Sequence, residues 1–340
     1  MADQVERDCP KRMVFGPCGG VRADHSCEVD SRRCPFTDLQ EAPPWRGRRP
    51  DVDPRPDGHL LGVIRAGRPA VLTDLSLPPY DAAAVAHLAG ALAGSCDAVL
   101  VGDHQDQPDF SPALLAGLLG SLGVAAWITL TCRDRNRVVL EQELSSLRHV
   151  GVDGVLCVTG DARAAGVRPE VTQVFDLDGT RLAGLASEHG LAVAVPETPT
   201  AAPTALRPGR LVEKQRAGAQ VVVLNHVRSA AEVGDFVRRS RELGLSIPVL
   251  AAVTVYTDPT SAQALRGLPG LELDERRIRA VLDAPDPEET GIATAVEEAA
   301  QLLATGHVAG VNISGLGSGR GLRRAAEVKA EVGRRVRASG

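Results

Sequence analysis

The stretch GVLCVTGD, Gly154 to Asp161, decides the fold. Its beginning is apolar and uncharged, a pattern typical of a strand that is covered on both faces in a parallel sheet. The stretch ends in Thr159, Gly160 and Asp161, so a turn and a carboxylate follow the strand directly. Functional groups of parallel α/β proteins lie at the carboxyl ends of the strands. Asp161 is therefore either a cap of the next segment or a residue of a functional site.

Similar strand-like runs, each followed by a helix-like segment, extend from this stretch in both directions. They cover residues 70–76, 97–103, 124–132, 191–197, 220–227, 247–256 and 307–315. The helices are expected to begin near Asp81, Ser111, Asn136, Asp178 and Ala230, with further helices before Ala217, after residue 256 and at the end of the chain. Eight such units over about 280 residues predict a (β/α)8 TIM barrel, and a doubly wound open sheet is the alternative.

The composition limits the classes of function. The chain has 340 residues, 44% of them hydrophobic, which is enough for one large domain and a small appendage. A net charge of −5 and an aromatic content of 3% argue against a nucleic-acid binder. No apolar run approaches the roughly 18 residues of a membrane span, and the charged N-terminus lacks the core of a signal peptide. These features predict a cytoplasmic protein.

Four cysteines crowd the N-terminus. Cys9, Cys18, Cys27 and Cys34 have the spacing C-x8-C-x8-C-x6-C, with glycines and prolines beside them that allow sharp turns. Two disulfides are not expected in the cytoplasm, whereas four thiolates suit a structural zinc site. An iron–sulfur cluster or free thiols are the alternatives. The predicted organisation is a metal-binding module over 1–48, a linker or strap over 49–67 and the barrel over 68–340.

Polar residues follow most of the predicted strands, at the ends that meet on one face of a barrel. They are Asp74, Ser76, Gly102, Asp103, His104, Thr129, Thr131, Arg133, Asp134, Asn136, Thr159, Asp161, Glu197, Asn225, His226, Thr254, Tyr256, Asn312 and Ser314. A cleft that combines carboxylates with amides suits a polar heterocycle, although caps and solvated loops would use the same residue types.

Several motifs, taken in order, resemble the 5,10-methylenetetrahydrofolate reductase family over roughly residues 68–320. They are LPPYD (77–81), LTCRDRN (130–136), TGD (159–161), VFDLDG (174–179), PE (196–197) and EKQRAGA (213–219). The segment CPKRMVFGPCGG, followed by CEV, looks like the zinc-binding domain found in or beside these reductases. That likeness favours zinc for the four cysteines.

The resemblance implies a TIM barrel that holds FAD and uses NAD(P)H to reduce 5,10-methylenetetrahydrofolate to 5-methyltetrahydrofolate. Asp161 matches the family aspartate that stabilises the cationic iminium form of the folate, and Asn225 stands where a glutamine touches the folate. Asp103, Thr129 and Glu197 are further candidates for substrate binding. Candidate cofactor contacts are Thr159, Gly160, Asp178 and Lys214.

The sequence departs from the family pattern at several positions. The family glutamate that serves as acid precedes the double proline, where this chain has Leu75, with Asp74 one residue earlier. Asp74 is the candidate catalytic acid. Because a shift by one residue along a strand changes the face of the sheet, Asp74 can serve only if a bulge or offset intervenes. A family histidine is Thr129 here. The family positions whose polar residues contact the flavin are occupied here by Arg207, Arg210 and Glu213.

Three functions are consistent with these departures. The first is reduction of methylenetetrahydrofolate, with or without flavin. The second is transfer of the folate one-carbon unit without net reduction. The third is a non-catalytic folate-binding or partner subunit, in a homo-oligomer or in a complex formed through the cysteine module.

Overall fold

The described residues of the computed structural model, 8–48, 58–163, 166–268, 270–315 and 317–339, form a closed barrel of eight parallel strands. The strands are β1 (Ala70–Leu75), β2 (Ala98–Val101), β3 (Ala126–Thr131), β4 (Gly154–Val158), β5 (Val193–Glu197), β6 (Val221–Leu224), β7 (Val249–Thr254) and β8 (Gly310–Ser314). Each strand pairs with its neighbour in the chain, and β8 pairs with β1. The predicted TIM barrel is confirmed, and the open sheet is excluded.

Helices connect the strands and cover the barrel. They are α1 (His59–Arg65), α2 (Ala82–Ala91), α3 (Pro112–Ser121), α4 (Arg137–Val150), α5 (Gly179–Glu188), α6 (Arg207–Arg216), α7 (Ala230–Glu242), α8 (Pro259–Arg266), α9 (Glu275–Leu282), α10 (Pro287–Ala304) and α11 (Leu322–Ser339). Three helices, α8, α9 and α10, lie between β7 and β8 in the described part of the chain. No helix in the described part of the chain is long and apolar enough to cross a membrane.

Two apolar clusters divide the barrel. The larger one lies between the strands and the surrounding helices and contains alternate strand residues such as Leu75, Val155 and Val253. The smaller one contains inward-facing strand residues such as Leu72 and Trp127, together with Leu60 of α1. Because the backbone of Leu60 and the Trp127 indole both donate to Asp153, just before β4, α1 closes the amino-terminal end of the barrel.

Helix α1 lies within the predicted strap over 49–67, and residues 49–57 lie outside the described residues. The cysteine-rich segment, described over residues 8–48, consists mainly of turns, bends and irregular chain, with one isolated antiparallel bridge between Ser26 and Arg33. Its apolar side chains, among them Cys9, Met13 and Phe36, pack together, with Ala202 of the barrel against them. The segment therefore rests on the barrel.

Candidate functional site

A cavity of about 400 Å³ opens at the carboxyl ends of the strands. Its volume lies in the range of small-molecule sites. Of the residues proposed from the sequence, it is lined by Asp74, Gly102, Asp103, Thr129, Thr131, Arg133, Thr159, Gly160, Asp161, Glu197, Lys214, Asn225, Asn312 and Ser314. His226 and Tyr256 instead line a smaller pocket beside Glu298, to which His226 Nε2 is 2.8 Å distant.

Asp161 reaches the cavity because β4 ends in a tight turn. Gly160 has φ +89°, and a Cβ there would lie 3.1 Å from the side chain of Thr131, so glycine fits best. The Asp161 carboxylate accepts a hydrogen bond of 3.3 Å from Gln105 Nε2. Burial raises the pKa of Asp161 above its usual value, against the opposing charge of Lys11.

Asp74 also points into the barrel. The register of β1 with both neighbours is continuous, so Leu72 and Asp74 face inward while Leu75 packs against the helices. No bulge is needed to bring Asp74 to the cavity. Its carboxylate accepts hydrogen bonds from Asn312 Nδ2 at 3.0 Å and from Ser314 Oγ at 2.6 Å.

Lys329 of α11 lies beside Asp74 and is almost fully buried. Its ammonium donates to the carbonyl oxygens of Asp74 and Gly315, the latter at 2.7 Å. Burial raises the pKa of Asp74, opposed by the Lys329 charge, and burial lowers the pKa of Lys329 to about 8. A raised pKa suits a group that must hold a proton near neutral pH.

The other residues proposed to bind substrate differ in the hydrogen bonds that their side chains make within the protein. Asp103 accepts hydrogen bonds from Thr131 Oγ1 at 2.6 Å and from Arg135 at 2.7 Å. Asn225 donates from Nδ2 to Thr198 Oγ1 at 2.9 Å, which leaves its amide oxygen available. Thr129 borders this cavity and a second one of about 460 Å³.

Glu197, at the end of β5, is the centre of a buried cluster of charges. Arg207, Arg210 and Lys214 of α6 lie 3.2, 3.1 and 3.0 Å from its carboxylate oxygens. Burial alone would raise the pKa of Glu197, but these three cations lower it to about 2. Although Glu197 borders the cavity, its ion pairs give it a structural role.

The residues proposed for the cofactor are occupied by other parts of the protein. The Asp178 carboxylate accepts from Val14 N at 2.8 Å and caps α5 through Arg181 N. The Gly160 carbonyl accepts a hydrogen bond of 2.7 Å from Lys11 Nζ. Lys214 pairs with Glu197. Thr159 Oγ1 contacts Met13 Sδ at 3.4 Å and accepts from Gly179 N.

The residues of α6 at the family's flavin-contacting positions hold the N-terminal segment as well. Arg207 donates to the carbonyl oxygens of Pro17 at 3.1 Å and Cys18 at 2.9 Å. Arg210 donates to the Phe15 carbonyl at 3.3 Å, and the Glu213 carboxylate accepts from Trp45 N at 2.5 Å. The segment thus lies along one side of the cavity.

The structure does not confirm a metal site at the four N-terminal cysteines. Within the described residues, no group of three or more His, Cys, Asp and Glu side chains is arranged to hold a metal ion. Cys9 and Cys34 belong to the apolar cluster, whereas the Cys18 thiol lies 3.6 Å from Glu28 Oε2. All four are free thiols. The prediction of zinc is therefore not confirmed, and the thiols as they lie here do not fit it.

Lys11, Lys329 and Glu28 were not proposed from the sequence. One feature of the composition could have indicated the two lysines. Lys11, Lys214 and Lys329 are the only lysines among 38 basic residues, and all three are buried. Each ammonium donates to a carbonyl at the carboxyl end of a strand, namely those of Gly160, Pro196 and Asp74. Because lysine is rare in this chain, the positions of the three lysines are informative.

The barrel and its cavity define a TIM-barrel protein with a polar small-molecule site at the carboxyl ends of its strands. Comparison with protein families matches residues 95–320 to methylenetetrahydrofolate reductase. It also matches residues 5–44 to the family described as methylene-tetrahydrofolate reductase C terminal. The first match covers about two thirds of the chain, so the protein belongs to the methylenetetrahydrofolate reductase family.

Solved structures match this chain at low sequence identity. A Clostridium thermocellum protein, described as binding two copies of 5-methyl-5,6,7,8-tetrahydrofolic acid, has a TM-score of 0.60 and 15% identity, covering 83% of this chain and 100% of its own. Tryptophan synthase of Mycobacterium tuberculosis has a TM-score of 0.49 and 18% identity, covering 84% of this chain and 99% of its own. A search of curated proteins gives no match.

Proposed function

We propose that this protein reduces 5,10-methylenetetrahydrofolate to 5-methyltetrahydrofolate with NAD(P)H in the cavity at the carboxyl ends of the strands. The observation that carries the proposal is that the carboxyl groups of Asp161 and Asp74 face the same cavity, where burial raises the pKa of the proposed acid, Asp74. The family supports a folate as the ligand. The C. thermocellum protein, which has the same fold, binds the proposed product.

The reaction needs a hydride acceptor and a proton donor. Ring opening at N10 converts the substrate into the 5-iminium cation, and the hydride of NAD(P)H adds to its methylene carbon. N10 takes up one proton, and NAD(P)⁺ is released, so charge and atoms balance. In this scheme the Asp161 carboxylate stabilises the cation, and Asp74 supplies the proton to N10.

FAD does not fit the residues that the resemblance assigned to it. Asp178, Arg207, Arg210 and Glu213 bind the N-terminal segment, and Lys214 is paired with Glu197. No step of the proposal therefore uses flavin, and the hydride passes directly from the nicotinamide to the folate. The second cavity supports this route, because it shares Asp74, Gly102, Asp103 and Thr129 with the first and offers room for a second ligand.

The test is oxidation of NADH and NADPH by purified protein with methylenetetrahydrofolate, with the product identified by chromatography. We expect turnover without added FAD and no flavin absorbance. Asp161→Asn should lower kcat/KM by about 100-fold, because the amide no longer stabilises the cation. Asp283→Asn, an exposed position after α9, is the control and should leave the rate unchanged.

Two results would contradict the proposal in different ways. Binding of 5-methyltetrahydrofolate without any nicotinamide oxidation would refute the reductase and favour one-carbon transfer or a binding subunit. Flavin that copurifies and is required for turnover would refute the direct hydride transfer alone.

A further inference from the structure

A cation of the N-terminal segment lies at the centre of the proposed site. Lys11 is 2% exposed, borders the same cavity as Asp161 and donates to the Gly160 carbonyl at 2.7 Å. Its ammonium lies 5.8 Å from the centroid of the Phe175 ring. A lysine buried this deeply requires a function or a partner that offsets its desolvation.

That partner is Glu28, which also belongs to the N-terminal segment. Its Oε1 forms an ion pair with Lys11 and accepts a hydrogen bond of 3.0 Å from Ala162 N. Lys11 therefore binds the backbone on one side of Asp161, at Gly160, and Glu28 binds it on the other side, at Ala162. The pair holds the Asp161 loop at both ends.

We propose that Lys11 and Glu28 are positioning residues for Asp161, so that the N-terminal segment completes the substrate site of the barrel. The role of Asp161 in folate binding rests on the proposed function, whereas the arrangement of Lys11, Glu28 and Asp161 is independent of it. The contacts join residues 149 and 134 positions apart, so Lys11 and Glu28 reach Asp161 only when the N-terminal segment packs on the barrel.

The charges around Asp161 give the pair a measurable effect. Burial raises the pKa of Asp161, Lys11 lowers it, Glu28 raises it and Arg133 lowers it, in that order. Gln105 adds a neutral hydrogen bond. Removing the Lys11 charge should therefore raise the pKa of Asp161. Removing the Glu28 charge should lower it, both because a negative charge is lost and because Lys11 loses its partner.

The direct test uses the ligand-free protein. Aspartate labelled with ¹³C at the carboxyl group reports each titration by NMR, and the Asp161 resonance is the one lost in Asp161→Asn. Lys11→Met should raise the Asp161 midpoint by about one pH unit, Lys11→Arg should keep it, and Glu28→Gln should lower it. Arg12→Met is the matched control, because Arg12 is next to Lys11 in the chain but its side chain is exposed and pairs with Asp176.

Opposite shifts for Lys11→Met and Glu28→Gln cannot arise from a general loss of structure. An unchanged Asp161 midpoint in a folded Lys11→Met protein would overturn the inference. So would shifts of the same sign in both variants. Circular dichroism shows whether each variant is folded. If Lys11→Met does not fold, the Asp161 midpoint in Glu28→Gln still decides the test.

Binding provides the second arm. Lys11→Met should bind 5-methyltetrahydrofolate more weakly than the natural protein, by up to about 10-fold for a shift of one pH unit, and should regain affinity as the pH rises and Asp161 ionises. The affinity of Lys11→Arg for 5-methyltetrahydrofolate should stay within about threefold of that of the natural protein, and the affinity of Arg12→Met should equal that of the natural protein. Failure of the natural protein to oxidise NAD(P)H would refute the proposed function, whereas the NMR result would still decide the inference.

Discussion

Proton delivery in the proposed reaction depends on the carboxyl group of Asp74. The group is buried, and two hydrogen-bond donors, Asn312 and Ser314, fix its orientation. Burial raises its pKa, so a larger fraction carries a proton near neutral pH than for an exposed aspartate. As the pH rises through this pKa the acid form disappears, and kcat should fall with it.

Asp74→Asn should lower kcat by about 100-fold or more, because the amide can still accept from Asn312 and can donate to Ser314 Oγ but cannot transfer a proton. The alkaline limb of the kcat–pH profile should disappear as well. Steady-state kinetics across the pH range and calorimetry with 5-methyltetrahydrofolate provide the measurement, with product affinity expected to stay within about threefold. A variant with unchanged kcat would assign the proton to another group.

Helix α6 is the element on which the site and the N-terminal segment both depend. Its residues Arg207, Arg210 and Lys214 surround one carboxylate, that of Glu197, and Arg207 and Arg210 also bind the carbonyl oxygens of Phe15, Pro17 and Cys18. Because all three cations are buried, Glu197 is the charge that makes their burial tolerable.

Glu197→Gln should lower the free energy of unfolding by about 3–5 kcal/mol, since three buried cations lose their counter-ion. Urea denaturation at neutral pH measures the change. Glu242→Gln is the control, because Glu242 is an exposed partner of Arg238 on α7 and should contribute less than about 0.5 kcal/mol. A loss of folate affinity with unchanged stability would instead place Glu197 in substrate binding, as the sequence suggested.

The sequence predicts the starts of the helices well. Asp81, Ser111, Asn136 and Asp178 were expected at helix starts, and each accepts a hydrogen bond from a backbone N–H of the first turn. Such caps are local and therefore visible in a sequence. The inward position of Asp74 was not expected from strand alternation relative to the family glutamate, and it follows from the continuous register of β1. The contact of Lys11 with Gly160 is not visible, because it depends on how distant parts of the chain pack.

Closure of the whole barrel depends on the pairing of β8 with β1. Gly310 lies opposite Ala70, and a Cβ on Gly310 would come within 2.2 Å of the Ala70 carbonyl oxygen. Backbone on both strands would have to move. This position therefore tolerates glycine alone, although the sequence presents it as an ordinary residue at the start of a strand.

Gly310→Ala should destabilise the protein by about 2 kcal/mol, the usual cost of overpacking. Gly117→Ala in α3 is the matched control. A Cβ there meets no atom within 4 Å, so this variant should gain about 0.5–1 kcal/mol from helix propensity. Thermal and urea unfolding compare the two, and equal stability of both variants would show that the strands separate easily at this point.

The position of the cysteine-rich segment also has a consequence for synthesis. Val14 N donates to Asp178, which lies 164 residues further along the chain. The Phe15 carbonyl accepts from Arg210, which lies 195 residues further along. At usual elongation rates the ribosome needs about 10–40 seconds to make that length. During this interval the segment has no surface to rest on, and its thiols are open to oxidation. A disulfide formed then would have to be reduced before the segment could dock, so a full yield of complete sites requires a reducing environment while the chain is being made.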